Sequence, residues 1–208
     1  MRIGEIVETR STGFVAESLQ LNQPPPLGSL VKVEWPQGVS IYGVVAYGES
    51  LGLEPGRRAV RRGTDEVYDA AVYAENPQLP HIIRTVFHVL FAGWDDGTRL
   101  RQQLPPQPPP LHYSVHTCEV GEVERFTDSD RGLYYLRLLL SADVEVPVVS
   151  LVVAHINQTY LVRGEDRAWL EAAARELASL LKRDHDSLMG VLYGIDPERG
   201  APSLGTGV

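Results

Sequence analysis

The period of the apolar residues changes along this chain, and that change fixes the class of fold. In Arg2–Thr9, Ile3, Glu5, Val7 and Thr9 fall on one side, with Gly4, Ile6 and Glu8 on the other. In Leu30–Trp35, Leu30, Lys32 and Glu34 oppose Val31, Val33 and Trp35. A period of two puts successive side chains on opposite faces, the signature of a strand. Phe14–Glu17 follows the turn Ser11-Thr12-Gly13 and reads as a short strand. Ile41–Tyr47 and Thr85–Gly93 are β-branched and aromatic, and Arg99–Gln103 follows a turn containing Asp96-Gly97. Asp-Gly is a strong hairpin signal, because glycine supplies the positive φ that the turn requires. Strands at this spacing predict a small, nearly closed antiparallel barrel.

The later segments keep the other period. In Glu165–Arg183, Trp169, Leu170, Ala173, Leu177, Leu180 and Leu181 share one face at helical spacing. Glu165 and Asp166 stand near its start and Lys182 and Arg183 at its end, the polarity the helix dipole prefers. Ser187–Ile195 reads as a shorter helix. Leu133–Leu140 is Leu-rich and also reads as helix. Val149–Tyr160 is Val-rich, which hints at a strand. Pro147 before it and Arg163-Gly164 after it suit a helix start and stop, so helix is preferred. The expected fold is therefore α+β: a small N-terminal antiparallel β-barrel followed by a mainly α-helical unit.

Punctuation divides the chain further. Glu54–Pro80 is charged and breaks the strand pattern, so it reads as a long excursion from the barrel, with a short helix at Asp69–Glu75. Five of the fifteen prolines stand within Pro105–Pro110. Such a run favours polyproline II and reads either as a stiff spacer between two units or as a segment packed along the barrel. The expected division is 1–111 for the barrel, 112–196 for the helical unit, and a disordered tail at 197–208.

Basic residues are lopsided, with seventeen Arg and two Lys, Lys32 and Lys182. A phosphate-binding P-loop needs Gly-Lys-Ser/Thr, and neither lysine stands in one. The net charge of −8 repels nucleic acid overall, so phosphate binding would need a local basic patch. One cysteine, Cys118, cannot close an internal disulfide and suits a reducing compartment. Glu5 and Glu8 interrupt the first apolar residues, so no signal peptide is read. The longest uncharged apolar stretch, Pro147–Val162, is too short and polar to span a bilayer comfortably. A soluble cytoplasmic protein is expected.

Four features could carry function. Arg57, Arg58, Arg61 and Arg62 put four guanidinium groups into six residues, a candidate contact for an anion, nucleic acid or acidic partner. The competing reading is a solvated loop pairing with Glu54, Asp65 and Glu66. The face of Trp169, Leu170, Leu177 and Leu181 could dock a partner, or could pack inside the chain. His112, His116 and Cys118 would share a face on a strand, but lack the fourth ligand of a zinc site. Asp128-Ser129-Asp130 holds a fragment of a calcium loop without its downstream Glu, so Asp128 or Ser129 reads better as the cap of the next helix. No catalytic motif is recognisable, and no metal or cofactor is expected.

The first half also resembles the HAS barrel, the small barrel at the N-terminus of HerA-type DNA translocases and of rotary ATP synthase subunits. The resemblance lies in the order of short motifs: Arg2–Glu8, Phe14–Glu17, Pro25-Pro26-Leu27-Gly28-Ser29 running into Leu30–Val33, Ile41–Val45, then Glu75–Leu79 and Thr85–Val89, closed by the tract at Pro105–Pro110. It covers residues 1–111. The whole chain is also similar to barrel proteins of cyanobacteria. In HerA-type and ATP synthase proteins a P-loop motor follows the barrel; here none does. The resemblance thus implies the barrel's assembly and docking role without the motor. The function expected is a non-enzymatic adaptor or assembly module that docks a protein partner or self-associates through its barrel. The alternative is an accessory of nucleic-acid processing machinery that contacts phosphate through Arg57–Arg62.

Overall fold

The computed structural model describes residues 1–53, 60–128 and 132–195. Seven strands form one antiparallel sheet: β1 (Arg2–Arg10), β2 (Gly13–Ser18), β3 (Leu30–Trp35), β4 (Val39–Gly52), β5 (Ile83–Asp95), β6 (Leu100–Arg101) and β7 (Ser114–Thr117). Their order is β2-β1-β7-β3-β4-β5-β6, and β2 also pairs with β5. That last pairing closes six strands into a barrel, with β6 left outside as a short hairpin partner of β5. Register slips at Ile6/Glu8 and at Tyr42/Gly43 and Val45/Tyr47 supply the local bending that a small barrel needs. The expected α+β architecture, a barrel followed by helices, is the one the chain adopts.

Strand pleating explains where the core lies. Ile6, Phe14, Val31, Val33, Ile41, Val45, Phe87, Val89, Phe91 and Val115 fill the barrel interior. The alternate residues of β4 and their neighbours, Leu30, Tyr42, Val44, Ala46 and Ala92, face outward and join a second cluster with the helices. All six residues of Ile41–Ala46 are therefore buried, because β4 is covered on both faces.

Among the described residues six α-helices follow or interrupt the strands: α1 (Ala70–Glu75), α2 (Val120–Phe126), α3 (Leu136–Leu140), α4 (Val148–Val162), α5 (Arg167–Leu180) and α6 (His185–Gly194). The Val-rich segment is indeed helical. Gly164, in the left-handed region at φ +68°, and Glu165 return their N–H groups to Leu161 and Tyr160, a Schellman stop. Asp166 then caps α5, accepting from the Trp169 N–H at 3.0 Å. The Trp169 indole N–H donates to the Thr127 carbonyl at 2.7 Å, tying α5 to the end of α2.

The expected domain boundary needs correction. The barrel does not end at residue 111: β7, beyond it, sits between β1 and β3 and is required for closure. Of the two readings of the proline tract, the segment packed along the barrel is the one adopted, not the spacer. It lies between β6 and β7, Pro105 and Pro109 are buried, and directly after it the His112 N–H meets the Ile6 carbonyl at 2.9 Å. Its prolines need no ladder partner, so they can line the barrel without leaving donors unpaired. The cap expected at Asp128 or Ser129 borders residues outside those described, and α3 begins at Leu136 behind Tyr135. The tail expected at 197–208 lies outside the described residues, as do Ser129 and Asp130.

Candidate functional site

Arg57 and Arg58 lie outside the described residues. Arg61 and Arg62 are exposed. The Arg61 Nε donates to the Gly63 carbonyl and the Arg62 Nη1 to the Asn76 side-chain oxygen, each at 3.3 Å. Among the described residues neither pairs with Asp65 or Glu66, so both guanidinium groups keep donors in solvent.

The helical face ends otherwise. Trp169, Leu170 and Leu177 are buried in the cluster shared by the helices and the barrel wall, and Leu181 packs against it. Burying each large side chain stabilises the chain by roughly 1.5–3 kcal/mol. That face is consumed inside the molecule and is not a docking surface.

His112, His116 and Cys118 are not brought together into one group. His112 stands before β7 in the left-handed region and meets the Glu5 carboxylate at 2.9 Å. His116 lies on β7 opposite Lys32, with its Nδ1 buried and unpaired. Cys118 follows the strand, and burial, helped by the Glu122 charge, pushes its thiol up to about 12. A thiol so disposed is a poor nucleophile and a poor metal ligand. Among the described residues no three His, Cys, Asp or Glu side chains are grouped to hold a metal ion.

A strut that the sequence did not reveal crosses this region. Lys32 on β3 reaches Glu122 of α2 at 2.7 Å and Glu34 at 2.8 Å. Burial alone would lower the lysine's pKa, but the two carboxylates outweigh it and raise it. The other oxygen of Glu122 accepts the Glu119 N–H at 2.9 Å, half of a capping box that starts α2. One carboxylate thus anchors α2 to the barrel and caps it. Glu119-x-x-Glu122 is a visible cap pattern, but its link to Lys32 spans ninety residues.

An apolar cleft of about 250 Å³ opens at one end of the barrel. Its walls are Trp35 and Val39 beside the β3–β4 turn, Ile41 on β4, Trp94 on β5, and Pro105 and Pro106 from the proline tract. Trp35 and Trp94 are half-buried. Trp35 leans on Tyr113 with ring centroids 6.4 Å apart. The Arg101 guanidinium stands 4.4 Å from the centre of the Trp94 ring. Asp96 holds that guanidinium at 2.6 Å and also accepts from Thr98 and Arg99, which keeps its carboxyl far below the usual range. Trp94 is therefore fixed between the barrel and an anchored cation. No titratable side chain lines this cleft, so it can bind apolar groups but offers no acid, base or nucleophile.

Neither a protein-family model nor a curated protein matches the chain. No helix among the described residues is long and apolar enough to cross a membrane.

Proposed function

We propose that this protein is a non-enzymatic docking or assembly module of the cytoplasm, with an HAS-like barrel as its recognition unit. The observation that carries this reading is the tryptophan–proline cleft at the barrel end. Trp is enriched at the energetic centres of protein interfaces, and rigid, half-buried aromatics lose little entropy on binding. Barrel closure adds to the argument. It leaves few strand edges for an incoming strand, so side-chain surfaces must do the recognising. The partner is a protein, or a second copy of the chain.

The test compares the full chain with Trp35→Ala. Both are used for affinity capture with mass spectrometry and for light scattering. The reading expects a partner, or a self-associated mass, that is lost in the variant while circular dichroism stays unchanged. A monomer whose captured proteins are indifferent to Trp35 refutes it.

A second reading draws on the free donors of Arg61 and Arg62: an accessory of nucleic-acid machinery contacting phosphate through the Arg57–Arg62 arm. It requires binding whose logarithm falls with log salt, by about 0.9 per duplex phosphate neutralised. No binding of DNA or RNA at low salt removes this reading.

A further inference from the structure

A second cavity, of about 430 Å³, lies where the barrel meets the connection from α3 to α4. It is separate from the tryptophan cleft and shares no lining residue with it. Its size falls in the range of small-molecule pockets, which favour such seams between packed units. The barrel contributes Arg10, Tyr47, His88 and Val89; the connection contributes Asp143 and Glu145.

The charges here are unbalanced. Arg10 is already held by Glu8 at 3.3 Å, and His88 faces Glu49 at 3.7 Å. Among the described residues, Asp143 and Glu145 have neither an ion pair nor a hydrogen bond. The uncommitted charge on the lining is therefore negative. Tyr47 and His88 meet edge to face, with ring centroids 5.4 Å apart, and supply an aromatic wall. An aromatic face beside uncommitted carboxylates is an environment that attracts a cation carried on an apolar stem. The acidic chain as a whole concentrates cations and repels anions.

We propose that this cavity binds an organic cation: an ammonium or guanidinium group on an aromatic or aliphatic stem. Asp143 and Glu145 take the charge, and Tyr47 takes the stem. This proposal does not depend on the docking role assigned above.

The experiment titrates the full, isotopically labelled chain by amide NMR with three ligands of one shape. Tyramine carries the cation, 4-methylphenol carries no charge, and 4-hydroxyphenylacetate carries an anion. Saturable shifts at the lining residues are expected with tyramine, weaker ones with the phenol and none with the acetate. A blocked lysine tripeptide, run in parallel, distinguishes a free amine from a partner's basic side chain. Asp143→Asn with Glu145→Gln should weaken tyramine binding at least about threefold, the scale of two exposed charge pairs. Both positions are exposed, so folding should survive, which circular dichroism verifies. Arg10→Gln should leave binding equal or tighter. The proposal is overturned if the anion binds as well as the amine or if the double variant binds tyramine unchanged. It is equally overturned if no saturable shift appears at the lining residues by about 10 mM tyramine, the weak end of specific affinity.

Discussion

His155 makes stability depend on pH in a direction and range that the structure specifies. It lies on α4 with no exposed surface. Its Nδ1 stands 2.7 Å from the Gly28 carbonyl, so that nitrogen carries the proton and donates. Its Nε2 then accepts the Tyr135 hydroxyl at 2.8 Å. The neutral ring satisfies both contacts, and burial pulls its pKa down from 6.5 to about 4. Above pH 6.5 both folded and unfolded chains hold a neutral ring, so pH has no effect through this group. Between 6.5 and 4 the unfolded chain takes up a proton that the folded chain refuses, and stability falls. The full loss, reached below pH 4, is roughly 3 kcal/mol at 1.36 kcal/mol per pKa unit. From pH 7.5 to pH 5 the loss is about 2 kcal/mol.

The assay is urea unfolding followed by tryptophan fluorescence at steps from pH 7.5 to 5, for wild type and for His155→Gln. The variant will be less stable at every pH, so the slope is what counts. The chain's other histidines remain in both proteins and cancel in the comparison. Asp96, Asp166 and Asp184 have depressed pKa values, and their contributions stay intact until the pH falls below the ordinary carboxylate range. If the two proteins lose stability in parallel over this range, the buried neutral imidazole is not the cause and the reasoning fails. Tyr135→Phe provides the complement. It deletes one hydrogen bond yet leaves the ring buried, so it should lower stability while keeping the slope.

Two further outcomes follow from the same seam. Gly28 has φ +82°, and a Cβ there would stand 2.3 Å from the His155 backbone nitrogen. Gly28→Ala should therefore cost about 2–5 kcal/mol, combining left-handed strain with an overpacked backbone contact, as measured by the shift in urea midpoint. Asp166→Ala removes the cap of α5 and the partner of Arg163, and should cost about 1 kcal/mol in thermal or urea unfolding.

The strands whose two faces differ were readable from sequence. Leu30–Trp35 alternates strictly and is β3 to the residue, because one face looks into the barrel. Ile41–Ala46 was readable as a strand, but its burial on both sides requires helices that come a hundred residues later. β7 is not legible in the sequence, because four residues after a proline tract carry too little periodicity to mark a strand. It is a strand only because β1 and β3 stand ready on either side. The tryptophan cleft was hidden for a related reason. Trp35 and Trp94 are far apart in sequence and meet only through the β4–β5 pairing, which sets Ile41 opposite Trp94. The turn Pro25–Ser29 was noticed as a motif; its reason for glycine, direct seating on α4, is a tertiary contact.

That seating constrains how the barrel could assemble. The helices cover the wall made by β3, β4 and β5, through Leu30, Tyr42, Val44, Ala46 and Ala92. The wall of β1 and β7 carries Arg2, Glu5 and, just before β7, His112, tied to one another near 3 Å. A second barrel approaching this chain side by side would have to use that charged wall, because the apolar one is occupied. Contacts between exposed charges weaken as salt shortens the screening length, from roughly 10 Å at 0.1 M to 3 Å at 1 M. Contact through the tryptophan cleft is apolar and should persist in salt. Self-association that dissolves in salt therefore belongs to the β1–β7 wall, and self-association that survives salt but not Trp35→Ala belongs to the cleft.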